Sequence, residues 1–358
     1  MKVLVTGANG FAGSALIHAF RESGANLELI GIDNLSRPGS ETNRARWREL
    51  GVRVFHGDIR LPSDVDALPS VDWVIDAAAN PSVLAGLTAD SSPRQLIEHN
   101  LLGTVNLLEF CRRIDAGFLL LSTSRVYSID ALSSLPLAVE NNAYLLRRDQ
   151  PLPVGVGPGG ITETFSTAAP ISLYGATKLA SEALALEYGA SLGLPVWINR
   201  CGLLAGAGQF GRPDQGILAY WINAYLRRAP LKYLGFGGSG AQVRDALHPR
   251  DLAALVLKQM GAGDPAGKPR AANVSGGDRN SFSLARISAW CRERFGFEHA
   301  IAVEPEIRAA DLPWLVLDSS AASKVWAWHP ESFLPDILAE IASHAEQHPD
   351  WLARSAAG

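Results

Sequence analysis

The sequence predicts an α/β fold, a Rossmann-like doubly wound parallel sheet with a smaller α/β lobe. Short apolar runs rich in β-branched residues alternate with helix-length segments from the first residue onward. The runs KVLVTG, LELIGID and VDWVIDAAA are apolar almost throughout, which is typical of parallel strands covered on both faces. A chain of 358 residues is long enough for two closely joined domains.

The predicted elements follow one another regularly through the first half of the chain. KVLVTG predicts the first strand, and SALIHAFRESG predicts a helix that ends at Gly24. LELIGID, VRVFHGD, VDWVIDAAA and AGFLLLST predict further strands, with a long helix in SPRQLIEHNLLGTVNLLEFCRR. The Pro- and Gly-rich stretch at about 129–169 predicts a long loop excursion. LPVWINRCGLL is then expected to rejoin the main sheet.

Composition and charge limit the classes of protein to which the chain can belong. With 47% hydrophobic and 19% charged residues the chain can bury a substantial core, and its net charge of -4 argues against a nucleic-acid partner. No apolar run reaches the length of a membrane span. The three cysteines are widely spaced, and the eight histidines form no paired metal-binding pattern. We therefore expect a reducing, cytoplasmic location, no membrane association and no metal site.

A glycine-rich motif lies between the first predicted strand and the first predicted helix. Gly7, Gly10 and Gly13 have GxxGxxG spacing. Such glycines let the backbone turn tightly and let a diphosphate approach N–H groups at a helix N-terminus. Asp33 closes the second strand about twenty residues further on, where its carboxylate can accept hydrogen bonds from the adenosine ribose. This favours NAD over NADP, although Arg37 could accommodate a 2′-phosphate.

Further candidate cofactor residues follow from the same arrangement. Asp58 ends another strand and could reach the adenine amino group, or it could be a turn cap. Small residues in DAAANPS, after the fourth strand, suit a close approach of the backbone to the dinucleotide. The residues predicted to bind NAD are Gly7, Asn9, Gly10, Phe11, Gly13, Asp33, Asn34, Ser36, Arg37, Asp58, Ile59, Ala77, Ala78, Ala79, Pro81, Asn100, Tyr174, Lys178 and Cys201.

Three residues form a candidate catalytic set. Tyr174 and Lys178 are four residues apart, so in a helix both side chains lie on one face. Beside a nicotinamide, the lysine ammonium would lower the pKa of the tyrosine hydroxyl from about 10 towards neutrality, and the phenolate could then take a proton from a sugar hydroxyl. Thr123, at the end of LLLST, supplies a hydroxyl that can hydrogen-bond the reacting oxygen. A Tyr–Lys pair alone is common on helix surfaces, and the Gly-rich fold together with Thr123 favours catalysis.

The set and its order resemble the extended short-chain dehydrogenase/reductase superfamily. The segment NLLGTVNLLEF, residues 100–110, also resembles the helix that precedes the catalytic strand in that superfamily. Its sugar dehydratases carry an Asp–Glu pair directly after the threonine, and here Ser124 and Arg125 stand in those places. The resemblance therefore implies an epimerase, a decarboxylase or a simple dehydrogenase rather than a dehydratase.

Several stretches are similar to one family within that superfamily. GITETFSTAAPISLYGATK, GQFGRPDQGI, YLGFGGSGAQVRDALHPRDLAALV and NVSGGDRNSFSL together resemble the CDP-paratose 2-epimerases, also called CDP-tyvelose 2-epimerases. The resemblance implies an isomerase in which bound NAD takes hydride from sugar C2, Tyr174 accepts the proton of the C2 hydroxyl, and hydride returns to the other face of a 2-keto sugar. The chain departs from the family pattern at Ala241, in place of lysine, and at Gly208, in place of arginine.

The resemblance also implies where the nucleotide sugar binds. Residues 1–205 are expected to form the NAD-binding domain, and residues 206–358 mainly the substrate-binding lobe. Arg244 is predicted to pair with the substrate diphosphate, because a guanidinium fork matches phosphate oxygens; an ion pair with Asp245 is the structural alternative. Tyr233 is expected to stack on a pyrimidine. The residues predicted to bind substrate are Thr123, Ser124, Gln209, Phe210, Tyr233, Arg244 and Arg308.

The sequence leaves three functions open. The first is C2 epimerisation of a CDP-sugar, and the second is a UDP-sugar 4-epimerase or another extended short-chain nucleotide-sugar oxidoreductase. The third is a non-catalytic NAD-sensing protein, against which the intact Thr123, Tyr174 and Lys178 argue. The resemblance further implies a homodimer that pairs through the LIEHNLLGTVNLLEFCRR helix and the helix that starts near Tyr174.

Overall fold

The computed structural model describes residues 1–87, 92–263 and 267–356, which alternate between strands and helices. The strands are β1 (Lys2–Thr6), β2 (Glu28–Asp33), β3 (Arg53–His56), β4 (Trp73–Asp76), β5 (Gly117–Thr123), β6 (Leu137–Glu140), β7 (Ala143–Leu146), β8 (Val156–Gly157), β9 (Gly160–Ile161), β10 (Val196–Cys201), β11 (Leu203–Leu204), β12 (Leu231–Leu234), β13 (Val243–Leu247), β14 (Ala271–Val274), β15 (Ser281–Ser283), β16 (Ile301–Glu304) and β17 (Trp314–Leu315). The α-helices are α1 (Phe11–Glu22), α2 (Asn43–Glu49), α3 (Pro62–Asp66), α4 (Pro93–Ile97), α5 (Gly103–Ile114), α6 (Ile129–Ser133), α7 (Ser172–Leu192), α8 (Ile217–Leu226), α9 (Pro249–Ala262), α10 (Leu284–Phe295), α11 (Ser320–Trp326), α12 (Leu334–Gln347) and α13 (Trp351–Ala356).

A seven-stranded parallel sheet runs through the molecule in the order β14-β10-β5-β4-β1-β2-β3. Strands β1 and β5 are buried along almost their whole length, because side chains from helices cover both faces of the sheet. The continuous apolar sequence of these strands is what this burial requires. The predicted doubly wound parallel sheet is therefore confirmed. The strand order reverses between β1 and β4, and such a reversal opens a crevice at the carboxyl ends of the strands.

Helix α1 shows how apolar spacing sets the packing against the sheet. Leu16, Ile17 and Phe20 lie on one face of the helix and are completely buried. Each side chain of this kind stabilises the fold by about 1.5–3 kcal/mol when it is fully buried. Leu252 and Val256 of α9 pack into the same cluster, so helices from both halves of the chain cover this face.

A smaller lobe forms after residue 206. Its sheet has the order β11-β13-β15, with β17 beside β13, and a separate pair is formed by β12 and β16. Helices α8, α10 and α12 bury an apolar cluster against these strands. However, α9 and β14 return to the main sheet, where β14 pairs with β10. The division at residue 205 thus stays a prediction of which part binds which ligand, since the chain crosses between the lobes more than once.

The excursion at about 129–169 is more ordered than the sequence predicted. It contains α6 and two hairpins, β6–β7 and β8–β9, none of which joins the main sheet. The β6–β7 hairpin turns at Asn141 and Asn142, whose φ angles of 47° and 60° are left-handed. Two such residues in succession are typical of the tight hairpin turn that matches strand twist, and this Asn–Asn signal was missed.

Three findings bear on the predicted partners and ions. Among the described residues, no helix is long and apolar enough to cross a membrane. In the same ranges, no group of three or more His, Cys, Asp or Glu side chains is placed to hold a metal ion. The three cysteines are buried free thiols, and Cys201 lies at the end of β10.

Candidate active site

A cavity of about 620 Å³ opens at the carboxyl ends of the central strands, where both lobes meet. It lies at the reversal of strand order, which is where doubly wound sheets bind their ligands. The predicted residues that line it are Gly7, Gly10, Phe11, Asp33, Asn34, Ser36, Arg37, Asp58, Ile59, Ala77, Ala78, Ala79, Pro81, Thr123, Ser124, Tyr174, Cys201, Gln209, Phe210 and Arg244. The structure therefore brings most of the predicted cofactor and substrate residues to one place.

The Gly-rich turn between β1 and α1 is packed too closely for side chains. Gly7 has a φ of +61°, and a Cβ atom there would lie 3.0 Å from the Cα of Ala78. A Cβ atom at Gly13 would lie 2.3 Å from the carbonyl oxygen of Gly7. Gly13 does not line the cavity; its role is to let α1 approach the turn. The backbone of this turn is consequently bare towards the cavity, as a bound diphosphate requires.

Asp33 and Arg37 fix the loop after β2. The carboxylate of Asp33 accepts hydrogen bonds from the backbone N–H of Asn9 (2.8 Å) and of Leu35 (2.7 Å), while burial raises its pKa. The guanidinium of Arg37 donates to Oε1 of Gln215 (2.7 Å) and to the carbonyl of Phe210 (2.5 Å). Arg37 thus fastens the smaller lobe to the main sheet with two of its five N–H donors.

Two polar atoms at the cavity wall support a cofactor in this position. Nε2 of His99 and Oε1 of Gln209 are buried without a hydrogen-bond partner among the described residues. Buried polar atoms are nearly always paired, so unpaired atoms on residues that line a cavity leave hydrogen-bonding capacity that a bound molecule could use after a small side-chain movement. Together with the bare Gly-rich turn, these atoms fit a dinucleotide.

The candidate catalytic residues lie where β5 ends and α7 begins. Thr123 is the last residue of β5, and Tyr174 is in the first turn of α7. Between them a Cβ atom at Gly175 would lie 2.2 Å from the carbonyl oxygen of Arg125, so only glycine lets the helix approach the turn after β5. Burial raises the pKa of Tyr174, and the neighbouring Thr123 hydroxyl acts against that rise. The two residues therefore meet at the cavity wall, as predicted.

Burial has the largest effect on the pKa of Tyr174. Burial raises the pKa of Tyr174 to about 12, and the opposing contributions come from Thr123 and from the guanidinium of Arg125. The expectation that Lys178 lowers this pKa beside a nicotinamide stays a prediction. Lys178 is 1% exposed and does not line the cavity, and its ammonium is attracted to the carboxylates of Asp76 and Glu182. Buried carboxylates thus compensate the lysine charge.

A buried polar network holds this part of α7. Glu182, one turn after Lys178, forms an ion pair of 2.7 Å with Arg200 of β10 and accepts a hydrogen bond from Ser122. Arg200 also donates to the hydroxyl of Tyr127 (3.3 Å). Because removal of one partner from a buried ion pair leaves an uncompensated charge, the network fixes the helix against β5 and β10.

At the substrate end, Arg244 and Asp245 face the cavity with different partners. Nη2 of Arg244 bonds to the carbonyl of Leu312 (2.9 Å) and to Oδ1 of Asp311 (3.3 Å). The ion pair considered as an alternative is therefore made with Asp311 and not with Asp245. The carboxylate of Asp245 accepts hydrogen bonds from Ser275 and from the backbone N–H of Leu317, and burial raises its pKa to about 6.

Some predicted residues lie away from the cavity. The ring of Tyr233 stacks on Trp221 at 5.4 Å and its hydroxyl bonds to Ser288, so it belongs to the core of the smaller lobe and not to a pyrimidine site. Arg308 reaches Asp311 at 3.9 Å without lining the cavity. Asn100 is buried and hydrogen-bonds the backbone of Asn80. The predicted residues that do not line the cavity are Asn9, Gly13, Asn100, Lys178, Tyr233 and Arg308.

The sequence interpretation missed several polar residues at the cavity wall. Arg212, Asp214 and Gln215 belong to GRPDQG, a stretch that was singled out without roles for these residues. Asp214 accepts a hydrogen bond from Ser82 (2.8 Å), which ties this stretch to the loop after β4. The motif itself was the available signal. Arg125 was also missed as a binding residue, although its place directly after Ser124, where related dehydratases carry acid/base residues, was the available signal.

Comparisons with known proteins agree with this site. The model of the NAD dependent epimerase/dehydratase family matches residues 3–275. A CDP-paratose 2-epimerase of Salmonella typhi is 29% identical over 340 residues, covering 92% of this chain and 95% of the relative. A UDP-glucose 4-epimerase of Corynebacterium glutamicum is 27% identical over 342 residues, covering 92% and 91%. The crystal structure of a UDP-glucuronic acid 4-epimerase variant from Bacillus cereus, in complex with a fluorinated UDP-glucuronic acid and NAD, superposes with a TM-score of 0.77 at 25% identity, covering 97% and 99%.

These findings decide several predictions. The NAD cofactor and an enzyme of the isomerase class are confirmed at the level of the family, as is the resemblance to extended short-chain enzymes. CDP-sugar and UDP-sugar epimerases both occur among the relatives, so the nucleotide and the epimerised carbon stay predictions.

Proposed function

Since the chain belongs to the NAD dependent epimerase/dehydratase family, we propose that it epimerises a nucleotide sugar at C2, with a CDP-sugar of the CDP-paratose type as substrate. One observation carries the proposal. The hydroxyls of Thr123 and Tyr174 meet on the wall of a cavity that runs from the bare Gly-rich turn to Arg244. A sugar placed there would have an acid/base group at one hydroxyl and a charged anchor for its diphosphate.

Tyr174 and Thr123 would have separate roles in the reaction. Tyr174 would accept the proton of the C2 hydroxyl and return it at the end, while Thr123 would hydrogen-bond the same oxygen. Bound NAD would supply the hydride acceptor and donor. Ser124 and Arg125 follow Thr123 and bring no carboxylate to this side of the sugar, so the chain offers no acid/base pair there for water elimination. This supports an epimerase over a dehydratase.

Two features support a cofactor that stays bound through each cycle. Arg37 ties the cofactor side of the cavity to Phe210 and Gln215 of the smaller lobe. The ring of Phe210 also stacks on Trp351 at 5.2 Å, which fixes the segment over the cavity to α13. A cavity closed in this way would also keep water from a keto intermediate.

A UDP-sugar 4-epimerase is the second candidate. It is supported by the UDP-glucose 4-epimerase and UDP-glucuronic acid 4-epimerase relatives, which cover the chain as fully as the CDP-paratose relative does. The acid/base pair serves either carbon, because the pocket alone decides which carbon faces the nicotinamide. A CDP-sugar is favoured by the motifs QFGRPDQG and GFGGSGAQVRD.

Proton NMR of the purified protein with CDP-paratose, without added cofactor, tests the proposal. Formation of the C2 epimer is expected. UDP-glucose and UDP-glucuronic acid are run in parallel, and turnover of either with none of CDP-paratose would replace the proposal by the second candidate. If none of the three is turned over and NAD is recovered from the denatured protein, the result would favour the third function considered, a non-catalytic NAD-sensing protein.

Association and location remain part of the proposal. We propose a homodimer in the cytoplasm that pairs through the α4–α5 region and α7. Ile97 and Leu102 are 44% and 43% exposed, which supports a covered surface there. Sedimentation equilibrium of the purified protein measures the dimer directly.

A further inference from the structure

Three guanidinium groups converge on one short segment beside the cavity. Nη1 of Arg125 donates to the carbonyl of Ala310 at 3.1 Å. Nη2 of Arg244 donates to the carbonyl of Leu312, and both Arg244 and Arg308 approach the carboxylate of Asp311. We call Arg125, Arg244 and Arg308 the arginine cluster. Arg125 and Arg244 line the cavity, and Arg308 stands behind them.

The arginine cluster has more positive charge than its partners neutralise. Asp311 pairs with Arg244 and Arg308, and no carboxylate of the described residues lies within 4.0 Å of a nitrogen of Arg125. Burial and the neighbouring charge of Arg244 lower the pKa of Arg125 to about 9. Arg125 is half-buried at the cavity wall, and an anion entering the cavity would supply the close counter-charge that Arg125 lacks within 4.0 Å among the described residues.

Two other cavity arginines are held by different partners, whereas Arg212, like Arg125, donates to a neutral carbonyl, that of Ser355 at 3.0 Å. Arg60 binds the carboxylate of Asp58 at 2.6 Å, and Arg37 is bonded to Gln215 and Phe210. Arg125 makes one side-chain hydrogen bond within the described residues, and it is to a neutral carbonyl. Its remaining N–H groups are therefore available towards the cavity that it lines.

Arg125 is also joined to the catalytic residues through its backbone. Its N–H donates to Oγ1 of Thr123 at 3.2 Å, and its carbonyl oxygen packs against Gly175, next to Tyr174. Since Oγ1 of Thr123 accepts this bond, its own proton is free to point at the oxygen of Tyr174, which agrees with the lowering of the tyrosine pKa by Thr123. Movement of Arg125 would move both hydroxyls.

We propose that Arg125 binds an anionic oxygen group of the substrate and thereby positions the hydroxyl of Thr123 against Tyr174. The inference rests on the proposed function for the class of substrate, a nucleotide sugar. The anionic oxygens come either from the diphosphate or from a carboxylate on the sugar, and both match a guanidinium fork. Arg125 is thus a specificity and positioning residue.

Titration calorimetry on the NAD-loaded protein tests this inference without requiring turnover. The probes are CDP, UDP, UDP-glucose and UDP-glucuronic acid, and the variants are Arg125→Met and Arg125→Lys. Arg125→Met should weaken binding about tenfold or more, and Arg125→Lys should weaken it less, because lysine keeps the charge but loses the fork. Arg147→Met is the matched control, since Arg147 is an exposed arginine that pairs with Asp149 outside the cavity.

The pattern across the probes identifies the anionic group. If Arg125→Met weakens all bound probes alike, including the nucleoside diphosphates, the diphosphate is the group. If only UDP-glucuronic acid is weakened, it is a sugar carboxylate. Unchanged affinities, absence of binding of every probe to the wild type, or loss of bound NAD with substrate affinity unchanged would each overturn the inference. A weakened diphosphate affinity in a protein that turns over no nucleotide sugar would preserve the inference and reject the proposed function.

Discussion

The two ends of the cavity are built in opposite ways. The cofactor end comes from the Gly-rich turn, Asp33, Asp58 and the small residues after β4, all at the carboxyl ends of neighbouring strands. The substrate end comes from the turn after β5, from β13 and from loops that lie far apart in the chain. A parallel sheet brings its strand ends together by its topology, whereas loops meet only through tertiary packing.

The charged residues at the two ends also differ in how far along the chain their partners lie. At the cofactor end Asp58 and Arg60 satisfy one another at 2.6 Å, two residues apart. At the substrate end Arg244 finds Asp311, 67 residues away, and Arg125 finds a carbonyl 185 residues away. Asp58 and Arg60 neutralise one another without a ligand, while Arg125 has only a neutral carbonyl as its side-chain partner among the described residues. At the cofactor end this charge is already neutralised, whereas at the substrate end the anion that we propose would supply the missing negative charge.

The largest effect is expected from Tyr174→Phe, which removes the acid/base group where the two ends meet. Epimerisation should fall by about 10³-fold, since a positioned acid/base group contributes about 10²–10⁴-fold. Bound NAD, measured by absorbance after denaturation, should be unchanged. Tyr188→Phe is the control, because Tyr188 is a half-buried tyrosine on the same helix that bonds Glu109 and does not line the cavity. Equal activities of Tyr174→Phe and wild type would refute the assigned role.

A smaller effect is expected from Arg244→Met at the substrate end. The loss of a charge-assisted bond should raise KM for the nucleotide sugar about 10–100-fold, because such bonds contribute about 1.5–3 kcal/mol. Arg308→Met serves for comparison and should have a weaker effect, because Arg308 does not line the cavity. Steady-state kinetics measure both variants. A larger KM increase for Arg308→Met would show that Arg308, and not Arg244, is the main contact to the nucleotide sugar.

Gly13→Ala should act on the cofactor end alone. Its Cβ atom would lie 2.3 Å from the Gly7 carbonyl oxygen, so the turn or α1 must shift, at a cost of about 1–3 kcal/mol. We expect less NAD to be retained on purification, with the affinity for CDP or UDP preserved in protein reloaded with NAD. Gly261→Ala is the control, because that position in α9 has no neighbouring atom within 4 Å. Full retention of NAD in Gly13→Ala would contradict the prediction, because it would show that the turn accommodates the Cβ atom without weaker NAD binding.

The smallest effect concerns Asp245 and pH. Its pKa is raised to about 6 from 3.8, so the folded protein binds this proton more tightly than the unfolded chain. Stability from this group is therefore present below about pH 4 and is lost as the pH rises through 6. Asp245→Asn should gain stability relative to wild type between pH 4.5 and 7, by about 2 kcal/mol, in urea unfolding. Asp130→Asn, at an exposed position, is the control, and an equal pH dependence of Asp245→Asn and wild type would contradict the prediction.

Prediction from the sequence succeeded where local spacing carries the information. Gly7, Gly10 and Gly13 need only their spacing and a strand before them, and Tyr174 and Lys178 need only a helical period. It failed for Tyr233, because an aromatic residue in a short strand can face a ligand or a core with the same sequence. The Asn–Asn hairpin turn in the excursion was predictable from its residue types and was overlooked.

The sequence by itself determined the order of strands and helices, the Gly-rich turn and the presence of the catalytic side chains, because each depends on residues a few positions apart. Only the tertiary structure decided that Lys178 is buried where the carboxylates of Asp76 and Glu182 act on its charge, that burial raises the pKa of Tyr174, and that Arg244 pairs with Asp311. The partner of a buried charge depends on which loops pack around it, since electrostatic attraction in a protein interior acts over distance in space and not along the chain.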